Sequence, residues 1–294
     1  MNYRQILGIA SDNILQLNGR KLDLIDVTKP ATIEYAQKLA KIISKLSPIL
    51  GNMIEFSTVD LLNEYDWNDL GKWKRQDPGF PDATFDSDVV LPNPGIEIKA
   101  WFPLATEITA RFKDSVNHFS EDQINVAMIA WLPENVIFGK PVVIGTWVGS
   151  AASVAAARDN HYHRPPDYLV FEPRDTHDRT ANLQQTNTNG YKFQGTAKQF
   201  AEAQDIVDSW GDDGRKYSPD PEYQALLRGL QGRFEYRLDT NYAKMDRIEH
   251  PGIEEFKTRV LNTVYKGRTI KAWSQLLSSD NEAKLAAALL PLLE

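Results

Sequence analysis

Along residues 96–102 apolar and polar side chains alternate, so Ile96, Ile98 and Ala100 fall on one side of an extended chain and Glu97 and Lys99 on the other. Upstream, Ala83-Thr84-Phe85 to Val89-Val90-Leu91 is a second β-prone run. The Asn93-Pro94-Gly95 turn lets the two pair as a hairpin. A different period precedes them. Ile33, Ala36, Leu39, Ala40, Ile43 and Leu46 recur at helical spacing, predicting a helix over 32–46 that ends near Ser47-Pro48. Ser57-Thr58-Val59-Asp60 predicts the cap of another short helix containing Leu61 and Leu62, before a polar, Trp-rich stretch from Tyr65 to Trp73.

Beyond a polar segment at 105–123, Ile124 to Trp131 is apolar enough for a central strand, and Val142 to Trp147 reads as another. Small residues from Gly149 to Arg158 suit a helix packed closely on a sheet, and Tyr168-Leu169-Val170-Phe171 predicts a last buried strand before Glu172-Pro173. Past residue 196 the chain is mostly helical, with a short strand at Phe234 to Leu238, a helix at Ile253 to Tyr265 after Pro251-Gly252, and apolar helices at Trp273–Leu277 and Leu285–Leu293. The order predicts an α/β fold, a central mixed sheet flanked by helices, with a mostly helical C-terminal extension. Three segments follow: 1–30 as an N-terminal segment, 31–174 as the core, and 175–294 as a polar loop and helical region packed on that core as one domain.

Candidate chemistry enters through the hairpin. Asp82, in Pro81-Asp82 at the start of the first strand, converges with Glu97 and Lys99 on the second. Two carboxylates from neighbouring strands, with water and a substrate phosphate, suit Mg²⁺, and the Ile98 carbonyl is a further oxygen ligand. Lys99 would deprotonate or orient an attacking water. The bland alternative is an ordinary ion pair on a strand face. Pro-Asp recurs at Pro166-Asp167 and Pro219-Asp220, and acid-x-Lys at Glu255-Phe256-Lys257 and Glu282-Ala283-Lys284. Those two late copies sit in helical patterns, where positions i and i+2 do not share a face.

In Asp82, Glu97 and Lys99 the chain resembles the PD-(D/E)XK nuclease superfamily, and within it the type II restriction endonucleases, over residues 30–172. The predicted order of elements matches that superfamily's αβββαβ core with one inserted strand. The resemblance implies Mg²⁺-dependent, sequence-specific hydrolysis of double-stranded DNA leaving 5′-phosphates, with a cognate DNA methyltransferase as genetic partner. It also implies an additional acid from the N-terminal helical region, Glu55 or Glu64. A structure-specific repair or recombination nuclease, and a noncatalytic binding or scaffold protein, are the alternatives.

Composition changes the picture in three places. The chain has 294 residues, 42% hydrophobic and 25% charged, as in an ordinary soluble globular protein. The absence of cysteine excludes disulfides and Cys-ligated zinc. With no apolar run of membrane-spanning length and no secretory opening at Met1-Asn2-Tyr3-Arg4, a cytoplasmic location without membrane is expected. The net charge of −7 opposes DNA binding in bulk, but Arg228 to Lys271 carries ten Lys/Arg against six Asp/Glu. Candidate DNA contacts are Arg111, Lys113 and Asn117 after the catalytic strand. Arg179, Asn182, Gln184, Gln185, Asn187 and Asn189 follow in a polar stretch with the donors and acceptors that read base edges. The apolar C-terminal helices offer a homodimer surface suited to a palindromic site. His161, His163 and His177 are thin metal candidates, and Gly145 to Ser150 lacks the lysine of a phosphate-binding loop.

Overall fold

The computed structural model describes all residues except 77–78, 105–120, 164–166, 171–188, 194, 212–219 and 239–249, and side chains are not described at 158–163, 167–170, 189–192 and 236–238. The chain forms two compact units. The first comprises Met1–Ile108, Ser115–Ala156 and Glu249–Glu294; the second, Thr109–Asp114 and Ala157–Ile248. These divisions differ from the segment limits at 30/31 and 174/175. The N-terminal residues and the last helices share one unit with the hairpin.

The first unit is α/β. Helix α1 (Tyr3–Leu15) opens with a capping box in which Asn2 and Gln5 satisfy each other's backbone N–H groups. Helix α2 (Ile33–Ile42) is capped by Thr32 and runs through a 3₁₀ turn, Ile43–Leu46, into helix α3 (Ser47–Asn63). The short helix expected after Ser57 is instead the last part of this longer one. Proline at the first turn costs no hydrogen bond, so Pro48 opens α3, and Thr58 donates back to the Ile54 carbonyl (2.7 Å) without capping anything.

Strands β1 (Lys72–Arg75), β2 (Ala83–Asp86), β3 (Gly95–Trp101), β4 (Ile124–Pro133) and β5 (Pro141–Ser150) form one mixed sheet in that order. Only the β3–β4 pair is parallel. Strand β2 stops at Asp86, short of the Leu91 expected, because Ser87 turns the chain by accepting the Val90 N–H (3.0 Å). β4 is buried along nearly its whole length, as its unbroken apolar run requires. Trp67, Trp73 and Phe85 pack edge to face over β1 and β2. On the face carrying Ala100, α3 approaches so closely that a Cβ on Gly51 would lie 3.9 Å from the Ala100 Cβ.

Helix α4 (Ala151–His163) buries Ala151, Val154 and Ala155 at its start. In the second unit, β6 (Asp167–Val170) pairs in parallel with β7 (Asn189–Phe193), and β8 (Tyr236–Leu238) pairs antiparallel with β7. The strand expected to complete the main sheet therefore belongs to a separate three-stranded sheet. A short apolar strand carries no label for its partner, and hydrogen bonding to β7 satisfies it equally well. Helices α5 (Ala197–Asp208) and α6 (Pro221–Arg233) enclose a small core of Ala203, Val207, Leu227, Leu230 and Phe234.

The remaining elements return to the first unit. Helix α7 (Pro251–Asn262) crosses β5 at Gly145, where a Cβ would stand 2.7 Å from Val260 Cγ2, so only glycine permits the approach. The two-residue strands β9 (Val264–Tyr265) and β10 (Arg268–Thr269) lead into α8 (Ile270–Leu277) and α9 (Glu282–Leu293), and α9 packs on α2. No helix among the described residues is long and apolar enough to cross a membrane.

Candidate functional site

The β2–β3 ladder is short. Ala83 pairs with Ile96 and Thr84 with Gly95, and there it ends, leaving the edge of β3 beyond Ile96 open to side chains. Asp82, immediately before β2, takes that place. Its Oδ2 accepts the Ile98 N–H (2.7 Å), while its own N–H donates to Glu97 Oε2 (3.2 Å). A residue's N–H and C=O point to the same side of an extended strand, so the Ile98 carbonyl also faces Asp82. Gly95 makes room below, since a Cβ there would lie 2.4 Å from Pro81 Cγ.

Lys99 closes the cluster. Its Nζ lies 3.4 Å from Asp82 Oδ2 and forms an ion pair with Glu97 Oε1. Glu97 is only 8% exposed. Burial pushes its carboxyl above the ordinary value; Lys99 opposes that and Asp82 adds to it. For Lys99 burial works downward, but Glu97 and Asp82 together outweigh it and hold the ammonium above the ordinary lysine value.

A second acid–base pair stands beside the first. Arg75, the last residue of β1, donates to Glu55 Oε2 on α3 (3.1 Å) and lies over the Phe56 ring at 4.1 Å. Burial raises the Glu55 carboxyl first and the Asp82 charge raises it further, with Arg75 opposing, so Glu55 is electrostatically part of the cluster. The Gln76 N–H, just past β1, donates to the Asp82 carbonyl (2.8 Å), so Arg75 and the residue after it hold the two acids. Of the two helical acids considered from the sequence, Glu64 is the one left out. It is exposed at the C-cap of α3, about 13 Å further along the helix than Glu55.

Asp82, Glu97 and Lys99 are thus brought together, Glu97 and Lys99 on one face of the strand, while Ile98 joins them through its backbone beside Asp82. Arg75 was not foreseen; its signal was Lys72-Trp73-Lys74-Arg75, where one buried aromatic sits in an otherwise polar run. Arg111, Lys113, Asn117, Arg179, Asn182, Gln184, Gln185, Asn187 and His177 lie outside the described residues, as do the side chains of Asn189, His161 and His163. Among the described residues no group of three or more His, Cys, Asp or Glu side chains is arranged to hold a metal ion. No family model, curated protein or solved structure matches this chain.

Proposed function

We propose that this protein is a Mg²⁺-dependent type II restriction endonuclease of the PD-(D/E)XK kind, cutting double-stranded DNA at the Asp82–Glu97–Lys99 cluster. The observation that carries the reading is the mutual hold of Asp82 and Glu97 with Lys99 between them, at the one place where the β2–β3 ladder opens.

The donor set fits Mg²⁺. Two carboxylates and the Ile98 carbonyl are hard oxygen ligands, and this ion commonly takes one or two protein carboxylates and completes its shell with water and substrate phosphate. Burial first, and the Asp82 charge after it, raise Glu97, and a divalent cation would relieve that repulsion between the two acids. Asp82, Glu97 and Ile98 would hold the ion, which supplies Lewis-acid stabilisation of phosphoryl oxygens and a water of lowered pKa.

Lys99 is held protonated by its two acidic neighbours, so orienting the attacking water through a donated hydrogen bond suits it better than removing a proton. The water oxygen bonds to phosphorus and the P–O3′ bond breaks. The leaving 3′-oxygen takes up a proton, the water's proton passes to solvent, and a 5′-phosphate remains.

Incubating the purified protein with long phage DNA, in Mg²⁺ or in EDTA, tests this on a gel. Discrete Mg²⁺-dependent fragments, absent with the Asp82→Asn variant, are expected, and their ends would give the recognition site. A smear would favour a structure-specific nuclease. Intact DNA across several genomes would sink the assignment.

A further inference from the structure

Two acids of the site are delivered beside exposed aromatic rings. Among the described residues only two phenylalanines are exposed, Phe56 at 53% and Phe80 at 41%. Phe56 follows Glu55 on α3, and Phe80 precedes Asp82 by two residues. The other described phenylalanines, Phe85, Phe102, Phe138 and Phe256 among them, are buried or half-buried. Exposed apolar side chains scattered singly over a surface need no explanation. Two rings at two acids, from segments more than twenty residues apart, are not scattered.

Phe56 is also held in place. The Arg75 guanidinium that donates to Glu55 Oε2 lies over its ring, 4.1 Å from the centroid, and still leaves the side chain more than half exposed. Asn52, one turn earlier on α3 and exposed, has its Oδ1 3.5 Å from the same guanidinium. One arginine thus ties together an acid, a ring and an amide. A ring fixed before its ligand arrives loses less freedom on binding. The hydrolysis described above makes no use of it. An aromatic face stacks on any nucleobase, and an amide offers both a donor and an acceptor to a base edge.

Bases inside a duplex show their edges in the grooves while their faces are covered by stacking, so a base meets an aromatic face only after leaving the stack. We propose that Phe56 receives a base displaced from the duplex next to the scissile phosphate, stacking on it while Asn52 meets its edge. The substrate is then DNA whose base beside the cut is unpaired when bound. A site where pairing is already broken binds more tightly, because less unstacking remains to be done. The inference rests on the nuclease reading for the position of the phosphate, and it adds a preference that the acids and Lys99 do not supply.

Fluorescence anisotropy on the full chain tests it, with Asp82→Asn to stop cleavage and Mg²⁺ present. The probes are a fluorescein-labelled duplex, fully paired, and the same duplex with one bulged thymine. The bulged duplex is expected to bind more tightly. Adding Phe56→Ala should weaken its binding by about 10-fold or more and remove the preference, with unchanged circular dichroism. Phe56→Trp should keep the preference. Tyr35→Ala, which removes another exposed ring, on α2, should leave binding unchanged. Equal affinity for the two duplexes before Phe56 is changed, a preference that survives Phe56→Ala, or an equal loss from Tyr35→Ala overturns the proposal. Wild-type cleavage is read separately. Cut DNA without a Phe56-dependent preference sinks this inference alone, and a protein that binds neither duplex sinks the nuclease reading with it. A Phe56-dependent preference without cleavage upholds the stacking platform and removes the nuclease.

Discussion

Asp82 and Glu97 each hold the other's strand. The Asp82 carboxylate accepts the N–H of Ile98, next to Glu97, and the Glu97 carboxylate accepts the N–H of Asp82. Neither acid can turn away without freeing a partly buried backbone donor. Asp82→Asn keeps one carbonyl oxygen for Ile98 and removes the charge. Cleavage should fall by a factor of about 10² or more while stability changes by about 1 kcal/mol, read by single-turnover kinetics beside urea melts.

Glu97→Gln should separate stability from activity by pH. Burial, then Asp82, hold the Glu97 carboxyl above its ordinary 4.5 against the pull of Lys99. The folded state therefore binds this proton more tightly than the unfolded chain, and the group's contribution to stability declines as pH rises from about 4.5 through the raised folded value. The glutamine variant lacks this titration. The difference in melting temperature, variant minus wild type, should grow across that window, with the variant at least as stable at neutral pH and inactive. A difference that shrinks with pH would contradict the assigned direction.

Lys99→Met leaves two carboxylates facing each other without their counter-ion. Its partly exposed position moderates the usual cost of breaking a buried pair, so a loss of about 1–3 kcal/mol is expected. Mg²⁺ should recover part of that loss in thermal melts while cleavage stays absent.

Arg75→Met retains a stem to pack on Phe56 and frees Glu55 from its partner. The Mg²⁺ concentration needed for half-maximal cleavage should rise several-fold, and Glu55→Gln should add little on top, because the two side chains act as one unit. Fully additive effects in the double variant would separate Arg75 from Glu55.

Tyr265 tests the far end of the first unit. Burial, aided by the Glu134 charge, pushes its phenol up to about 12. Its hydroxyl serves the carbonyls of Pro133 and Glu134, both at 3.1 Å. A raised folded pKa means stability present below about pH 10 and lost as pH rises toward about 12. Tyr265→Phe should cost about 1 kcal/mol at neutral pH and flatten that alkaline decline in chemical denaturation.

Local pattern was enough for much of this molecule. Alternation placed Glu97 and Lys99 opposite Ile96 and Ile98, and the apolar run of β4 announced a buried central strand; the turn expected at Asn93-Pro94-Gly95 lies instead in the 87–94 connection that starts at Ser87, with Gly95 already in β3 opposite Thr84. Both patterns depend on neighbours within a few residues, where strand period acts directly. The full length of α3 was misread because Ser57 and Thr58 have the composition of a cap, whereas that stretch stays helical where α3 packs on β3, β1 and α1. The pairing of β6 with β7, the parallel register of β3 with β4, and the meeting of Arg75 with Glu55 across twenty residues were decided by tertiary structure alone. Hydrogen-bond ladders and ion pairs between distant segments are chosen by what the whole core can bury, and no single segment of sequence records that choice.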